Sequence, residues 1–136
     1  MRYIIIGLLV ATGFAANADV VDTFHNVCMK GLGKSQETER AAKAAGFKRS
    51  PISDVMGGYM GDKAGETVQI NIATRNSWEC AVTRSDVADP EELRSRFFNS
   101  LGLKTRKAQV SARVGGQRYV FKFDTSGGEA LVVYQK

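Results

Sequence analysis

The sequence is short of the residues from which catalytic and metal sites are built. It has one histidine, His25, and two cysteines, Cys28 and Cys80, with no CxxC, HxxxH or HExxH spacing. A zinc site needs three or four ligands, and a nucleophilic serine or cysteine needs a base beside it. The glycine-rich stretch GGYMGDKAGE lacks the P-loop lysine and Ser/Thr. We therefore expect no metal, no cofactor and no enzyme activity, with a weak hydrolase as the remaining enzymatic alternative.

Long apolar runs are also absent after the first eighteen residues. The run from Tyr3 to Ala16 is about 14 residues long, against roughly 20 for a membrane-spanning helix. Arg2 precedes it, and Ala16-Asn17-Ala18 follows as an A-x-A cleavage site. This order is typical of a secretory signal peptide. We expect residues 1–18 to be removed after Ala18. The mature chain, residues 19–136, is then one exported domain, periplasmic or extracellular, that does not span a membrane.

The two cysteines predict a disulfide. Cys28 lies on an apolar stripe with Val21 and Phe24 at helical spacing, and Cys80 alternates with Trp78 on the apolar side of a strand. A helix and a strand that pack together bring two such inward-facing thiols close, and an oxidising compartment joins them. His25 lies at the flank of the same stripe. We interpret it as a structural residue beside the disulfide.

The remaining patterns predict an α+β fold. Asp19 is a candidate N-cap for the first helix. The alanine-rich segment after Ser35 predicts a second helix, and Asp89-Pro90 with Glu92 begins a third. Alternating segments predict about six antiparallel strands, the first of them at Val55–Met60. The last three follow the third helix, and the first two of these three are joined by a Gly115-Gly116 hairpin turn. Three helices should then cover one face of the sheet.

The chain also has a repeated order of elements. Residues 34–84 and residues 89–136 each read as one helix followed by three strands. The stretches Glu79–Val82 and Glu129–Val132 occupy matching places in the two halves. Two α-β-β-β units in tandem, produced by duplication, are therefore a hypothesis. The alternative is that such units simply recur in α+β proteins. Either arrangement leaves the second face of the sheet open.

Acidic residues are missing from one long stretch. Leu93–Phe123 has no Asp or Glu, although it has eight basic residues. The candidates for an anion or partner site are Arg106, Lys107, Arg113, Arg118 and Lys122. Alternation places Arg118 and Lys122 on the outward face of one strand, opposite the aromatic residues that belong to the core. Such a patch attracts anions, or serves only as a solvated face.

These observations favour a non-enzymatic binding module. We expect it to dock a protein partner through the open sheet face or the basic hairpin. The alternative is an envelope-associated protein that binds anionic lipid or polymer through Arg113, Arg118 and Lys122. Nucleic acid is not expected as a partner, because the chain is exported and its aromatic residues face the core. The tandem layout is similar to that of small secreted inhibitor proteins, although no motif is shared.

Overall fold

The computed structural model describes residues 19–72, 77–126 and 128–136, so the expectations for residues 1–18 lie outside it. The helices in these residues are α1 (Val20–Phe24), α2 (Ser35–Ala44), α3 (Ser53–Met56) and α4 (Pro90–Ser100). A π-helical turn, His25–Met29, continues α1. The strands are β1 (Lys48–Arg49), β2 (Tyr59–Lys63), β3 (Glu66–Ile70), β4 (Glu79–Arg84), β5 (Gln109–Val114), β6 (Gln117–Asp124) and β7 (Glu129–Gln135).

All seven strands form one antiparallel sheet in the order β1-β2-β3-β4-β7-β6-β5. The predicted α+β class is confirmed. The sheet has one strand more than expected, the two-residue β1, and the helices number one more because of the single-turn α3. Both additions are too short to give a periodic signal in the sequence.

The last strands of the two predicted halves, β4 and β7, are neighbours at the centre of the sheet. Glu79 pairs with Tyr134, and Arg84 pairs with Glu129. In this register Glu79–Val82 lies opposite residues 131–134, and Cys80 faces the core while its sequence match Ala130 does not, so the matching stretches Glu79–Val82 and Glu129–Val132 are not superposed. The neighbouring position of β4 and β7 is nevertheless the one that tandem units joined through their last strands would give. The duplication itself stays a prediction.

The core lies between one face of the sheet and helices α1, α2 and α4. The predicted disulfide is confirmed, and Cys28 and Cys80 are both fully buried. Because Cys80 is in β4, the bond attaches the first helical segment to the centre of the sheet. On the helix side, Phe24 meets Phe97 of α4 edge to face, with ring centroids 4.9 Å apart.

Two helices begin where their capping residues predict. The Asp19 carboxylate accepts a hydrogen bond from the Val21 amide at 2.9 Å. The Asp89 carboxylate accepts one from the Glu92 amide at 3.1 Å. The reciprocal half of the expected capping box is not formed, because the Glu92 carboxylate accepts from Arg96 at 2.8 Å instead.

Thr38 of α2 connects three parts of the core. Its hydroxyl shares its one proton between the carbonyl oxygens of Gly31 (2.8 Å) and Lys34 (2.7 Å) and accepts from the Trp78 indole N–H at 3.2 Å. A Cβ on Gly31 would lie only 2.4 Å from the Thr38 backbone nitrogen. The turn between the first helical segment and α2 therefore needs glycine at that position.

The predicted strand at Val55–Met60 is wrong in its first half. Ser53–Met56 is helical, Gly57 ends the helix in the left-handed conformation, and the strand begins at Tyr59. The Ser53 hydroxyl explains the change of structure. It accepts from the Met60 amide at 2.9 Å and donates to the Met60 carbonyl at 3.1 Å, which fastens the helical turn to the start of β2.

Candidate functional site

The β5–β6 hairpin forms the end of the sheet that carries most of the candidate site. Gly115 and Gly116 connect the two strands with φ values of 58° and 83°. Positive φ at both central residues is the type I′ turn, which matches the twist of two antiparallel strands and favours glycine. The predicted hairpin is therefore confirmed, and its register fixes where each basic side chain lies.

Arg113 and Arg118 face each other across this hairpin. Both residues are exposed, and both side chains lie on the sheet face opposite the core. The Arg113 guanidinium donates to the Gly116 carbonyl at 3.0 Å. The Arg118 side chain forms no hydrogen bond or ion pair with any described residue. Val114, 38% exposed, follows Arg113 at the turn, and its side chain lies on the other face of the hairpin.

The other candidate cations lie at the opposite end of the hairpin. Lys122 faces Gln109, and its ammonium is 3.3 Å from the Asp124 carboxylate. Arg106 and Lys107 precede β5 and are exposed, and neither has a side-chain partner among the described residues. Four residues of strand separate the two ends by about 13 Å. The single basic patch predicted from the sequence is thus two groups of cations on one rigid hairpin.

Two other basic residues of the acid-free stretch, Arg94 and Arg96, form ion pairs within the domain. Arg94 forms an ion pair with Glu91 at 3.1 Å, and its guanidinium also donates to the Thr105 carbonyl at 3.2 Å. It thereby holds the segment that presents Arg106 and Lys107. Arg96 pairs with Glu92 and with Asp19, and the hydrogen bond to Glu92 is the main cause of its raised pKa.

The sheet face that carries Arg118 and Lys122 also has an apolar centre. Ala81, Val120 and Val132 lie on this face at 8%, 2% and 7% exposure, and none belongs to the core cluster between the sheet and the helices. They come from the three neighbouring strands β4, β6 and β7. All three are buried, so the centre of this face exposes little apolar surface and its accessible groups are mainly the cations around it.

A cleft of about 730 Å³ lies on the other side of the molecule, between α1, α4 and the β3–β4 strands. Glu66 is its deepest charged residue. Its carboxylate accepts from the Thr23 hydroxyl at 2.9 Å and pairs with Arg84 at 3.2 Å. Arg84 in turn bonds Asp86 at 2.8 Å. Glu66, Arg84 and Asp86 thus form one connected set of ion pairs at this cleft.

His25 lies in the same π-helical turn as Cys28, and its side-chain partner is Ser100 of α4. The His25 Nε2 atom lies 2.8 Å from the Ser100 hydroxyl, and that hydroxyl donates to the Phe97 carbonyl at 2.6 Å. These contacts fasten the π-helical turn to α4.

One exposed apolar surface was missed by the sequence reasoning. Ile52, Val55 and Met56 are 46%, 82% and 37% exposed, and they share one side of the α3 turn. The signal was their i, i+3, i+4 spacing between Pro51 and Gly57. It is too short to separate a single helical turn from a strand.

Neither a metal site nor a membrane span is found among the described residues. They contain no cluster of three or more His, Cys, Asp or Glu side chains that could hold a metal ion. No helix in the described part of the chain has the length and apolar character needed to cross a bilayer. Comparisons of the chain with protein-family models, curated proteins and solved structures found no match.

Proposed function

We propose that the protein is an exported, non-enzymatic binding module that docks a protein partner through the β5–β6 hairpin and the adjoining sheet face. The observation that carries this proposal is a set of exposed cations on a rigid hairpin, Arg106, Lys107 and Arg118, that have no partner among the described residues. Four other cations, Arg49, Arg84, Arg94 and Arg96, are neutralised by acidic neighbours, although Arg40 of α2 is exposed and also lacks a side-chain partner in the part of the chain that the structure describes. The hairpin differs because no acidic residue occurs between Leu93 and Phe123, and charge of one sign along one element favours an oppositely charged ligand.

A protein and an anionic lipid or polymer can both contact the cations of this face. Ala81, Val120 and Val132 lie beside Arg118 but are buried, so they add little exposed apolar surface. A purely electrostatic ligand would use the cations alone. The anionic lipid or polymer is therefore the alternative function. A weak hydrolase acting in the Glu66 cleft is the second alternative.

The proposed location follows from the disulfide together with the leader-like sequence. A buried disulfide is typical of proteins that mature in an oxidising compartment, and Cys28–Cys80 is such a bond. Cleavage after Ala18 would leave Asp19, the N-cap of α1, as the first residue. We propose that the mature chain of residues 19–136 acts in the periplasm or outside the cell.

A pull-down of the mature chain from envelope extract tests the proposed function. The bait is compared with Arg118→Glu and with Arg40→Glu, a matched reversal at an exposed arginine of α2 that has no side-chain partner in the described residues. The wash uses about 0.1 M and about 1 M salt, between which the Debye length falls from about 10 Å to about 3 Å. We expect a protein that the parent and the Arg40→Glu bait retain at both concentrations, and that Arg118→Glu loses.

Two results would contradict the proposal. Capture that disappears at high salt for every bait, with binding to anionic vesicles that follows the same salt dependence, indicates the lipid or polymer alternative. A protein set that is identical for Arg118→Glu and Arg40→Glu shows that the hairpin is not the docking surface.

A further inference from the structure

The free edge of the sheet lies on the same hairpin as the unpaired cations. Among the strands of the described residues, β5 is the last of the sheet and pairs only with β6. The Phe123 amide donates to the Ala108 carbonyl at 2.8 Å, beside the facing pair of Gln109 and Lys122. Bonded and non-bonded pairs alternate along an antiparallel ladder. Gln109, Ser111 and Arg113 therefore turn their backbone N–H and C=O groups away from β6, towards solvent.

This edge lacks most of the features that prevent strand addition. β5 has six residues, no proline, and an uninterrupted register with β6. Native sheets usually shorten, bend or cover such an edge. The opposite edge of this sheet follows that rule, since β1 has only two residues. Gln109, Ser111 and Arg113 are all exposed, so an extended chain can approach the outward groups of β5 directly.

Charge selects the chain that can be added. Arg113 lies on the edge strand, Arg118 is directly behind it on β6, and Lys107 precedes the strand. No acidic residue occurs between Leu93 and Phe123. A second copy of β5 would bring a second set of these cations to the same place, which opposes self-pairing. A strand with acidic side chains on that face would be attracted instead.

The other face of β5 selects for apolar side chains. Val110 and Ala112 are partly buried and pack against the margin of the core. A strand added beside β5 would place every second residue next to them and the alternate residues next to Ser111 and Arg113. The edge therefore fits a segment in which acidic and apolar residues alternate.

We propose that β5 receives an extended segment of the partner protein as an eighth strand, and that this segment alternates acidic and apolar residues. This inference rests on the proposed protein-binding function and adds its mode of recognition. The main-chain hydrogen bonds to Gln109, Ser111 and Arg113 hold the segment, and its side chains determine specificity. The acidic side chains contact Arg113 and Arg118, and the apolar ones cover Val110 and Ala112.

A fluorescein-labelled peptide in which glutamate and valine alternate serves as the probe. Its binding to the mature chain is measured by fluorescence anisotropy against a peptide that alternates lysine and valine. We expect the acidic peptide to bind at least about tenfold more tightly, as several cation–carboxylate contacts replace repulsive ones. In hydrogen exchange followed by NMR, the acidic peptide should protect the outward amides of Gln109, Ser111 and Arg113 and leave those of Val110 and Ala112 unchanged.

Ser111→Pro removes one outward amide without touching the β5–β6 ladder, because a proline is tolerated where the N–H faces solvent. Ser111→Thr keeps the amide and is its matched control. We expect Ser111→Pro to lose peptide binding by at least about tenfold, since it removes a central hydrogen bond and crowds the edge, while Ser111→Thr binds like the parent chain. Should Ser111→Pro fail to fold, the exchange measurement on the parent chain decides the question alone.

Three results overturn the inference. The first is peptide binding that survives Ser111→Pro without protection of the outward amides, which indicates docking by charge alone. The second is equal or absent binding of the two peptides. The third is concentration-dependent self-association that Ser111→Pro abolishes, which assigns the edge to a second copy. None of these results affects the pull-down test, in which capture of a partner depends on Arg118. Strand addition at β5 can therefore be disproved while the protein-binding function still holds.

Discussion

Arg113 and Arg118 face each other in a non-hydrogen-bonded pair of the β5–β6 ladder, the kind in which opposite side chains come closest. Both are exposed on the same face of the sheet. Like charges directly opposite each other destabilise a sheet. The hairpin therefore keeps two arginines together at a cost to folding that a neutral pair would avoid.

Replacing one of these arginines should stabilise the domain while weakening partner binding. We expect Arg118→Thr to raise the free energy of unfolding by about 0.2–1 kcal/mol, because it removes the repulsion and adds a β-branched residue to a strand. Urea unfolding at low salt measures the change. Arg106→Thr, outside the strands, is the control and should change little. An Arg118→Thr protein that is less stable than its parent would show that the arginine pair is not repulsive.

Removal of the disulfide should cost a large share of the stability. The bond closes a loop of 52 residues in sequence separation, and the chain-entropy model assigns about 4 kcal/mol to a loop of this length. We expect the double variant Cys28→Ala, Cys80→Ala to lose at least this amount in urea unfolding, since each change also leaves a gap at a fully buried position. A loss below about 1 kcal/mol would be inconsistent with the model. Exposure of the parent chain to a reductant without urea serves as the control and should leave the bond intact.

The hydrogen bond between Thr38 and Trp78 should couple the stabilities of α2 and β4. Thr38→Val removes the acceptor and leaves the buried indole N–H of Trp78 without a partner. An unsatisfied buried donor costs about 1–3 kcal/mol, and we expect a loss of that size. In a double-mutant cycle, Thr38→Val should cost less when Trp78→Phe is already present, because that change has removed the donor. Additive losses would mean that the contact contributes nothing.

Tyr59 should titrate later than an exposed tyrosine. Its ring is buried, and its hydroxyl is the only buried side-chain oxygen or nitrogen of the described residues without a hydrogen-bond partner. Burial, with a smaller contribution from the charge of Glu39, raises the pKa of Tyr59 above 10.0. The unfolded chain therefore loses this proton first. The associated stability is fully present below pH 10 and declines as the pH rises from there towards the folded-state pKa.

Spectrophotometric titration at the tyrosinate absorption band measures the pH at which each tyrosine loses its proton. The Tyr59→Phe variant identifies which of the titrating tyrosines is Tyr59. Because the hydroxyl has no partner to lose, Tyr59→Phe should leave the free energy of unfolding at neutral pH unchanged or slightly higher. It should also remove the alkaline decline. Tyr134→Phe, at a partly exposed tyrosine of β7, is the matched control. A loss of more than about 1 kcal/mol in Tyr59→Phe would reveal a hydrogen bond to the phenol.

Local rules explain the parts of this fold that the sequence predicted well. Asp89 and Pro90 begin α4, and two glycines form the β5–β6 turn, because capping and turn geometry depend on neighbouring residues. The pairing of Cys28 with Cys80 followed from two apolar stripes and one pair of thiols. These inferences need no knowledge of distant contacts.

The errors arose where distant residues decide the structure. Ser53 forms a helical turn because its hydroxyl makes hydrogen bonds to the backbone of Met60. The spacing of apolar residues in the sequence gives no sign of that contact. Arg96 belongs to the basic stretch in the sequence, but its guanidinium forms an ion pair with Asp19, which is far away along the chain. The cations left unpaired on the hairpin could be separated from the structural ones only after such long-range partners were known.

The position of β7 constrains the order in which the domain can form. It is the strand furthest along the sequence, and it fills the gap between β4 and β6 at the centre of the sheet. Without Leu131 and Val133 the core lacks its middle, and both flanking strands keep an open edge. A chain that emerges from its amino end therefore cannot complete its sheet until β7 has also emerged. Until then the chain remains extended enough to pass through a pore.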